Sequence, residues 1–210
     1  ITAGDPLPDA TAEVMHALVE AGADLIELGM PFSDPMADGP VIQHASERAL
    51  SKHVGIAHIL RWARTFRERD ANTPIVLMGY LNPIEIFGIE RFAREAAEAG
   101  VDGVLIVDCP IEEDATLQPL RVSGLQRILL AAPTTSEARL RKIAAAAEGY
   151  LYYVSFAGIT GAARLRVDEV ETRVHAMKEN CDVPVAVGFG IKDAEGAARI
   201  GAFAAAVVIG

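Results

Sequence analysis

An α/β chain folded as a (β/α)8 TIM barrel, truncated at both ends, is what this sequence predicts, and three observations carry the prediction. Strand-like and helix-like stretches alternate without a break along the 210 residues, for a total of about eight strands. The strand-like stretches include nearly continuous apolar runs, such as Ile75-Val76-Leu77-Met78, of the kind buried on both faces of a parallel sheet. Glycine clusters follow the sixth, seventh and eighth strands rather than the first, which favours a closed barrel over an open doubly wound sheet.

Taken in order, Ile1 and Thr2 read as the tail of a strand entering Ala3-Gly4-Asp5-Pro6, with Asp5 as a turn residue before proline. A helix is expected over residues 9–21, with Val14, Leu18 and Val19 on its apolar side and Gly22 as its C-cap. Residues 24–29 make the second strand. Helices follow over 41–51 and 56–69, then a strand over 74–78 and a helix starting at Asn82-Pro83 and ending at Gly100. A strand over 103–107 ends at Asp108. A short helix over 112–122, a strand over 127–131 and a helix over 136–148 with Ser136 as N-cap come next. The remaining elements are a strand over 150–154, a helix over 167–179, a strand over 185–187, a helix over 193–200 and a last strand over 203–209. The junction Glu98-Ala99-Gly100-Val101-Asp102-Gly103 echoes Glu20-Ala21-Gly22-Ala23-Asp24-Leu25, as two units of one barrel do. With no linker or low-complexity tract, residues 1–210 are expected to form a single (β/α)8 barrel domain. Both ends read as cut, because the first strand is almost absent and no helix covers the last one.

Composition narrows the function. Residues that are 51% hydrophobic supply one sizeable core, and a net charge of -10 argues against a general binder of nucleic acid or anionic membrane. Cys109 and Cys181 form no CxxC pair, and neither a signal peptide nor an apolar run long enough to span a bilayer is apparent, which fits a reducing, cytoplasmic setting. His16, His44, His53, His58 and His175 lack paired ligand spacing, so no metal site is expected. Cys109 has no histidine near it in the predicted site and reads as a packed thiol.

In a parallel barrel the active site is built from strand ends and loops at the C-terminal face, and the residues that carry chemistry fall there. Glu27 is the single charge among Leu25, Ile26 and Leu28 at the end of a strand. Asp34 and Asp38 lie in the following loop, where Pro31, Pro35 and Pro40 leave few conformations to lose. Two carboxylates in different surroundings can divide acid and base work. On the residues alone two readings stay open: Glu27 as a proton shuttle or as the partner of a lysine or of backbone amides in the barrel, Asp38 as an anionic acceptor or as the cap of the helix after Pro40. Gly158-Ile159-Thr160-Gly161, Gly188-Phe189-Gly190 and Gly210 follow successive strands, and such turns expose N–H groups that can hold a phosphate. Met78, Leu105, Val107, Leu130, Tyr152 and Phe189 lie on strands or at their ends and are candidates to line an apolar slot between the two.

The stretch Ile26-Glu27-Leu28-Gly29-Met30-Pro31-Phe32-Ser33-Asp34-Pro35-Met36-Ala37-Asp38-Gly39-Pro40 resembles the signature of the tryptophan synthase alpha chain family, and the likeness extends over nearly the whole chain. The resemblance implies a cofactor-free lyase that cleaves indole-3-glycerol phosphate to indole and glyceraldehyde 3-phosphate. It implies Glu27 and Asp38 as the catalytic pair and Tyr80, Leu105, Tyr152, Thr160 and Phe189 as substrate-binding residues. Gly161, Gly190 and Gly210 are implied as phosphate ligands; the serine that usually follows the last glycine lies beyond this chain. Asp34 and Pro110 are implied to contact a pyridoxal-phosphate beta chain in an alpha2beta2 heterotetramer. Two rival readings are a regulatory binding subunit without turnover and a phosphosugar isomerase. An isomerase needs a base placed for an enediol and no apolar slot.

Overall fold

Short apolar runs flanked by turns become strands close to the expected places in the computed structural model, which describes residues 1–155, 167–188, 191 and 193–210, without the side chain of Asp114. The chain divides into two compact segments, Ile1–Arg127 and Ile128–Gly210. The first carries a 3-10 turn at Pro8–Ala10, then α1 (Thr11–Glu20), β1 (Ile26–Gly29), α2 (Pro40–Leu50), α3 (Ile56–Arg67), β2 (Ile75–Gly79), α4 (Leu81–Phe87), α5 (Ile89–Glu98), β3 (Gly103–Ile106), a 3-10 stretch Ile111–Leu117 and α6 (Gln118–Val122). After β4 (Gln126–Ala131) come α7 (Glu137–Ala146), β5 (Leu151–Val154), α8 (Val167–Lys178), β6 (Val185–Gly188), α9 (Ala194–Gly201) and β7 (Ala206–Val207). Among the described residues no helix is long and apolar enough to cross a membrane.

In the first segment β1 pairs with β2 and β2 with β3, all parallel, and the register sorts every strand residue onto one of two faces. Ile26, Leu28, Ile75, Leu77, Val104 and Ile106 share the face that joins the core with Leu60 and Phe66 of α3 and Phe92 of α5. Phe66 and Phe92 are fully buried, each stabilising the segment by roughly 1.5–3 kcal/mol. The opposite face carries Glu27, Val76, Met78, Gly103 and Leu105, since Glu27 pairs with Val76, and Met78 with Leu105. In the second segment β4 to β7 pair in order, and Leu130, Tyr152, Ala186 and Ala206 share one face.

Several elements differ from the sequence expectation for local reasons. The first strand is a single parallel bridge, Thr2 to Gly29, and the last is two residues long. The helix expected over 82–100 is two helices, because Gly88 takes φ +93°, a conformation that ends α4 before α5 begins. The helix expected over 112–122 is a 3-10 stretch broken at Glu113, followed by α6 with Pro119 in its first turn. The buried face of α1 is Thr11, Ala12, Met15 and His16, while Val14, Leu18 and Val19 are half-buried. His16 stacks on Phe66 with ring centroids 4.5 Å apart. Asp5 turns the chain as expected, its N–H reaching the Thr2 carbonyl at 3.3 Å, but its carboxylate also takes a bidentate grip from Arg48 at 2.7 and 2.8 Å.

Candidate active site

Strand β1 delivers Glu27 at its second residue rather than at its end, because pairing with β2 continues to Gly29, and holds it half-buried on a face whose other strand residues are apolar or glycine. Of the residues expected in the substrate slot, Leu105 and Met78 lie on that same face, one pair of residues further along, and Leu105 is wholly buried. Glu27 is the only ionisable group in β1, β2 and β3.

The loop after β1 starts at Met30, whose N–H donates to the Met78 carbonyl at 2.7 Å. It turns back on itself through Met36 N–H to Asp34 O at 2.9 Å and Asp38 N–H to Pro35 O at 3.1 Å. Asp38 does not cap the next helix. Gly39 is the N-cap of α2, with no side-chain capping bond, and the Asp38 carboxylate instead accepts the Tyr80 hydroxyl at 3.1 Å. Burial pushes the Asp38 carboxyl above its ordinary value, with the Tyr80 hydrogen bond pulling the other way. The Tyr80 phenol, itself buried and facing Asp38, is pushed up to about 12.

Tyr80 is the N-cap residue of α4, and the first free N–H of that helix, at Leu81, donates to Asp108 Oδ1 at 2.8 Å. A carboxylate in the turn after β3, rather than at the end of the strand, thus satisfies a helix terminus that would otherwise lack a partner. Neither this bond nor the one from Tyr80 to Asp38 was legible in spacing, because each joins residues far apart in the chain. Asp34 is exposed and accepts the Ser33 hydroxyl at 2.6 Å. Pro110 is exposed as well, with its carbonyl accepting from Arg127 at 3.2 Å. Cys109 is buried, and burial pushes its thiol up, away from the reactive thiolate.

In the second segment Tyr152 is buried on β5, and its phenol lies across Gly188 of β6, where an added Cβ would meet the hydroxyl at 2.0 Å. Glycine is required there by close approach. Gly210 is exposed, and nothing lies within 4 Å of where its Cβ would be. Thr160, Gly161, Phe189 and Gly190, together with the rest of the 158–161 loop, lie outside the described residues. Among the described residues no group of three or more His, Cys, Asp or Glu could hold a metal ion.

Parallel strands alternating with helices, with one carboxylate on a strand and a second in the loop that follows it, are the arrangement of an enzyme of the α/β barrel class. A family model described as Tryptophan synthase alpha chain matches residues 1–210. The chain is 58% identical to the tryptophan synthase alpha chain of Thioalkalivibrio sulfidiphilus, over all of this chain and 79% of the relative. It superposes on tryptophan synthase subunit alpha from Legionella pneumophila with TM-score 0.92 and 46% identity, over all of this chain and 78% of that one. A chain from the tryptophan synthase a2b2 complex of Pyrococcus furiosus matches with TM-score 0.90 and 38% identity, over all of this chain and 85% of that one. The chain belongs to the tryptophan synthase alpha chain family, with its (β/α)8 barrel fold. This is the lyase subunit that cleaves indole-3-glycerol phosphate to indole and glyceraldehyde 3-phosphate in tryptophan biosynthesis.

Proposed function

We propose that Glu27 and Asp38 carry out the retro-aldol cleavage in this chain. Cleavage requires a proton on indole C3, stabilisation of the positive charge that develops on the ring and its N–H, and loss of the proton from the glycerol hydroxyl next to the breaking C–C bond. The bonding electrons then return to the indole, and the hydroxyl carbon becomes the aldehyde carbon of glyceraldehyde 3-phosphate. Glu27 serves both proton transfers at the carbon side, and the Asp38 carboxylate accepts the indole N–H.

The observation that carries this reading is the face shared by Glu27, Met78 and Leu105, which sets one ionisable group beside an apolar surface suited to a flat aromatic ring. An isomerase acting on a sugar phosphate has no use for such a surface. Tyr80, Leu105, Tyr152, Thr160 and Phe189 contact the substrate in this reading, and the backbone of Gly161, Gly190 and Gly210 binds its phosphate. Held far from the breaking bond, the phosphate supplies orientation. The reading treats residues 1–210 as one barrel domain, supported by a single family model matching all of them. The expected setting is the cytoplasm, and the expected partner is a tryptophan synthase beta chain in an alpha2beta2 assembly. Exposed Asp34, Met36 and Pro110 support a docking role for this part of the chain.

Glu27→Gln tests the assignment. The amide keeps the shape and loses the transferable proton, so kcat for indole release should fall on the order of 10²-fold or more while binding of a substrate analogue persists. Turnover near wild type would remove Glu27 from the mechanism and favour a subunit that binds without reacting.

A further inference from the structure

The loop carrying Asp38 is exposed through much of its length, with Ser33, Asp34, Met36 and Ala37 all open to solvent. Proline stiffens it but does not place it. Among the described residues, the one hydrogen-bond partner that loop 31–39 finds outside itself and α2 is the phenol of Tyr80. That oxygen is used twice: it accepts the Ala37 N–H at 3.0 Å and donates its own proton to Asp38 Oδ2 at 3.1 Å. The Phe32 ring, at the start of the loop, packs on the Tyr80 ring with centroids 5.3 Å apart.

Tyr80 is suited to act as an anchor because the residues on either side of it are held. It follows Gly79, whose carbonyl accepts the Val107 N–H at 2.9 Å, and it precedes Leu81, whose N–H is held by Asp108. The residue is 3% exposed. A rigid, buried phenol therefore meets a solvent-exposed loop at two adjacent residues, and the second of these bears the carboxylate.

We propose that Tyr80 is a positioning residue, its hydroxyl clamping Ala37 and Asp38 so that the Asp38 carboxylate is presented ionised and in fixed orientation to the indole N–H. The proposal rests on the reading of Asp38 given above and goes beyond a substrate contact for Tyr80. The phenol donates more strongly to an ionised carboxylate than to a neutral acceptor, so the clamp and the charge support each other. The ionisable groups acting on this contact are Asp38 and Tyr80 themselves and Asp108, which acts on Tyr80 from the turn after β3.

Tyr80→Phe removes the hydroxyl and leaves the ring, its burial and its packing on Phe32. The measurement is kcat and KM for indole-3-glycerol phosphate across pH, beside Asp38→Asn. The expected result for Tyr80→Phe is a kcat lowered about tenfold, a KM changed much less, and an acidic limb of the kcat profile moved to higher pH, because Asp38 has lost a donor that favoured its ionised form. Three results would overturn the proposal: wild-type kcat and pH profile, a change in KM alone, or a lower kcat with the acidic limb unmoved. The last would mark a structural role without influence on the carboxylate. Asp38→Asn separates this from the reading beneath it. If that variant turns over normally, the assignment of Asp38 fails; if it is inactive while Tyr80→Phe behaves as wild type, only the clamp fails.

Discussion

Removing a carboxylate from water costs free energy, and Asp38 bears that cost at the place where, in the mechanism proposed above, the reaction needs a charge. Its carboxyl is raised above the ordinary value of 3.8, with burial outweighing the hydrogen bond from Tyr80. The sign of the effect on stability follows. A group whose folded pKa lies above its unfolded value contributes stability below the unfolded value, and that contribution is lost as pH rises through the folded pKa. Once ionised, Asp38 therefore supports the fold less than its neutral form does, a cost that its proposed role would explain. Asp38→Asn, whose amide oxygen can still accept the Tyr80 hydroxyl, should unfold at a higher temperature than wild type at pH 7. The difference should shrink as pH falls toward 3.8. Thermal unfolding followed from neutral to acid pH checks this, and a lower midpoint for the variant at pH 7 would show that ionised Asp38 stabilises the fold.

Helix α3 shows how an element end can hold a segment together on the side that does no chemistry. The guanidinium of Arg67, at its last residue, reaches the Gly100 carbonyl at 2.8 Å, the Asp70 and Thr73 carbonyls at 3.2 and 2.7 Å, and Asp102 at 2.7 Å. Planar and multidentate, it ties the end of α3 to the entries of both β2 and β3. The intervening turn is closed by Asp70, which accepts the N–H groups of Asn72 and Thr73 and the Thr73 hydroxyl at 2.6 Å. These donors hold its carboxyl down to about 2, led by the Thr73 hydroxyl. Here the sign is reversed: the contribution is present above the unfolded value of 3.8 and lost as pH falls through about 2. Asp70→Asn should lower the unfolding midpoint at neutral pH and match wild type below about pH 2; a deficit that persisted in strong acid would assign the effect to shape rather than charge. Elements of this kind were only partly legible in the sequence. Strand seeds such as residues 75–78 were plain because an apolar run has few other uses, and Glu27 stood out as the one charge in such a run. The break at Gly88 was not plain, since an isolated glycine is tolerated inside a helix and only its observed φ of +93° decides. Contacts such as Tyr80 to Asp38 depend on strand register and loop path, which no local pattern encodes.

At the scale of the whole molecule, the product sets the last requirement. Indole is small, apolar and able to cross membranes, so a lyase releasing it into bulk water would lose it; docking on a partner that consumes indole keeps the route closed. The residues suited to such docking lie in the segment that bears Glu27 and Asp38: Asp34 is exposed with its carboxylate turned to Ser33, Met36 beside it is 75% exposed, and Pro110 is exposed after β3. Since Asp34 and Asp38 share one proline-stiffened loop, a partner that engages Asp34 acts on the placement of Asp38 through a few backbone bonds. The coupling expected between the two is roughly 1–3 kcal/mol, that is, about 5- to 150-fold. The expected outcome is that adding a tryptophan synthase beta chain raises lyase turnover and that Asp34→Ala weakens this activation while leaving the basal rate near wild type. If Asp34 meets a cation on the partner, activation should also fall as salt is raised, because exposed charge pairs are screened. Lyase turnover measured with and without the beta chain, beside sizing chromatography of the mixture, decides the matter. No activation and no co-migration would sink the partnership, whereas full activation of Asp34→Ala would move the contact to other residues of the segment.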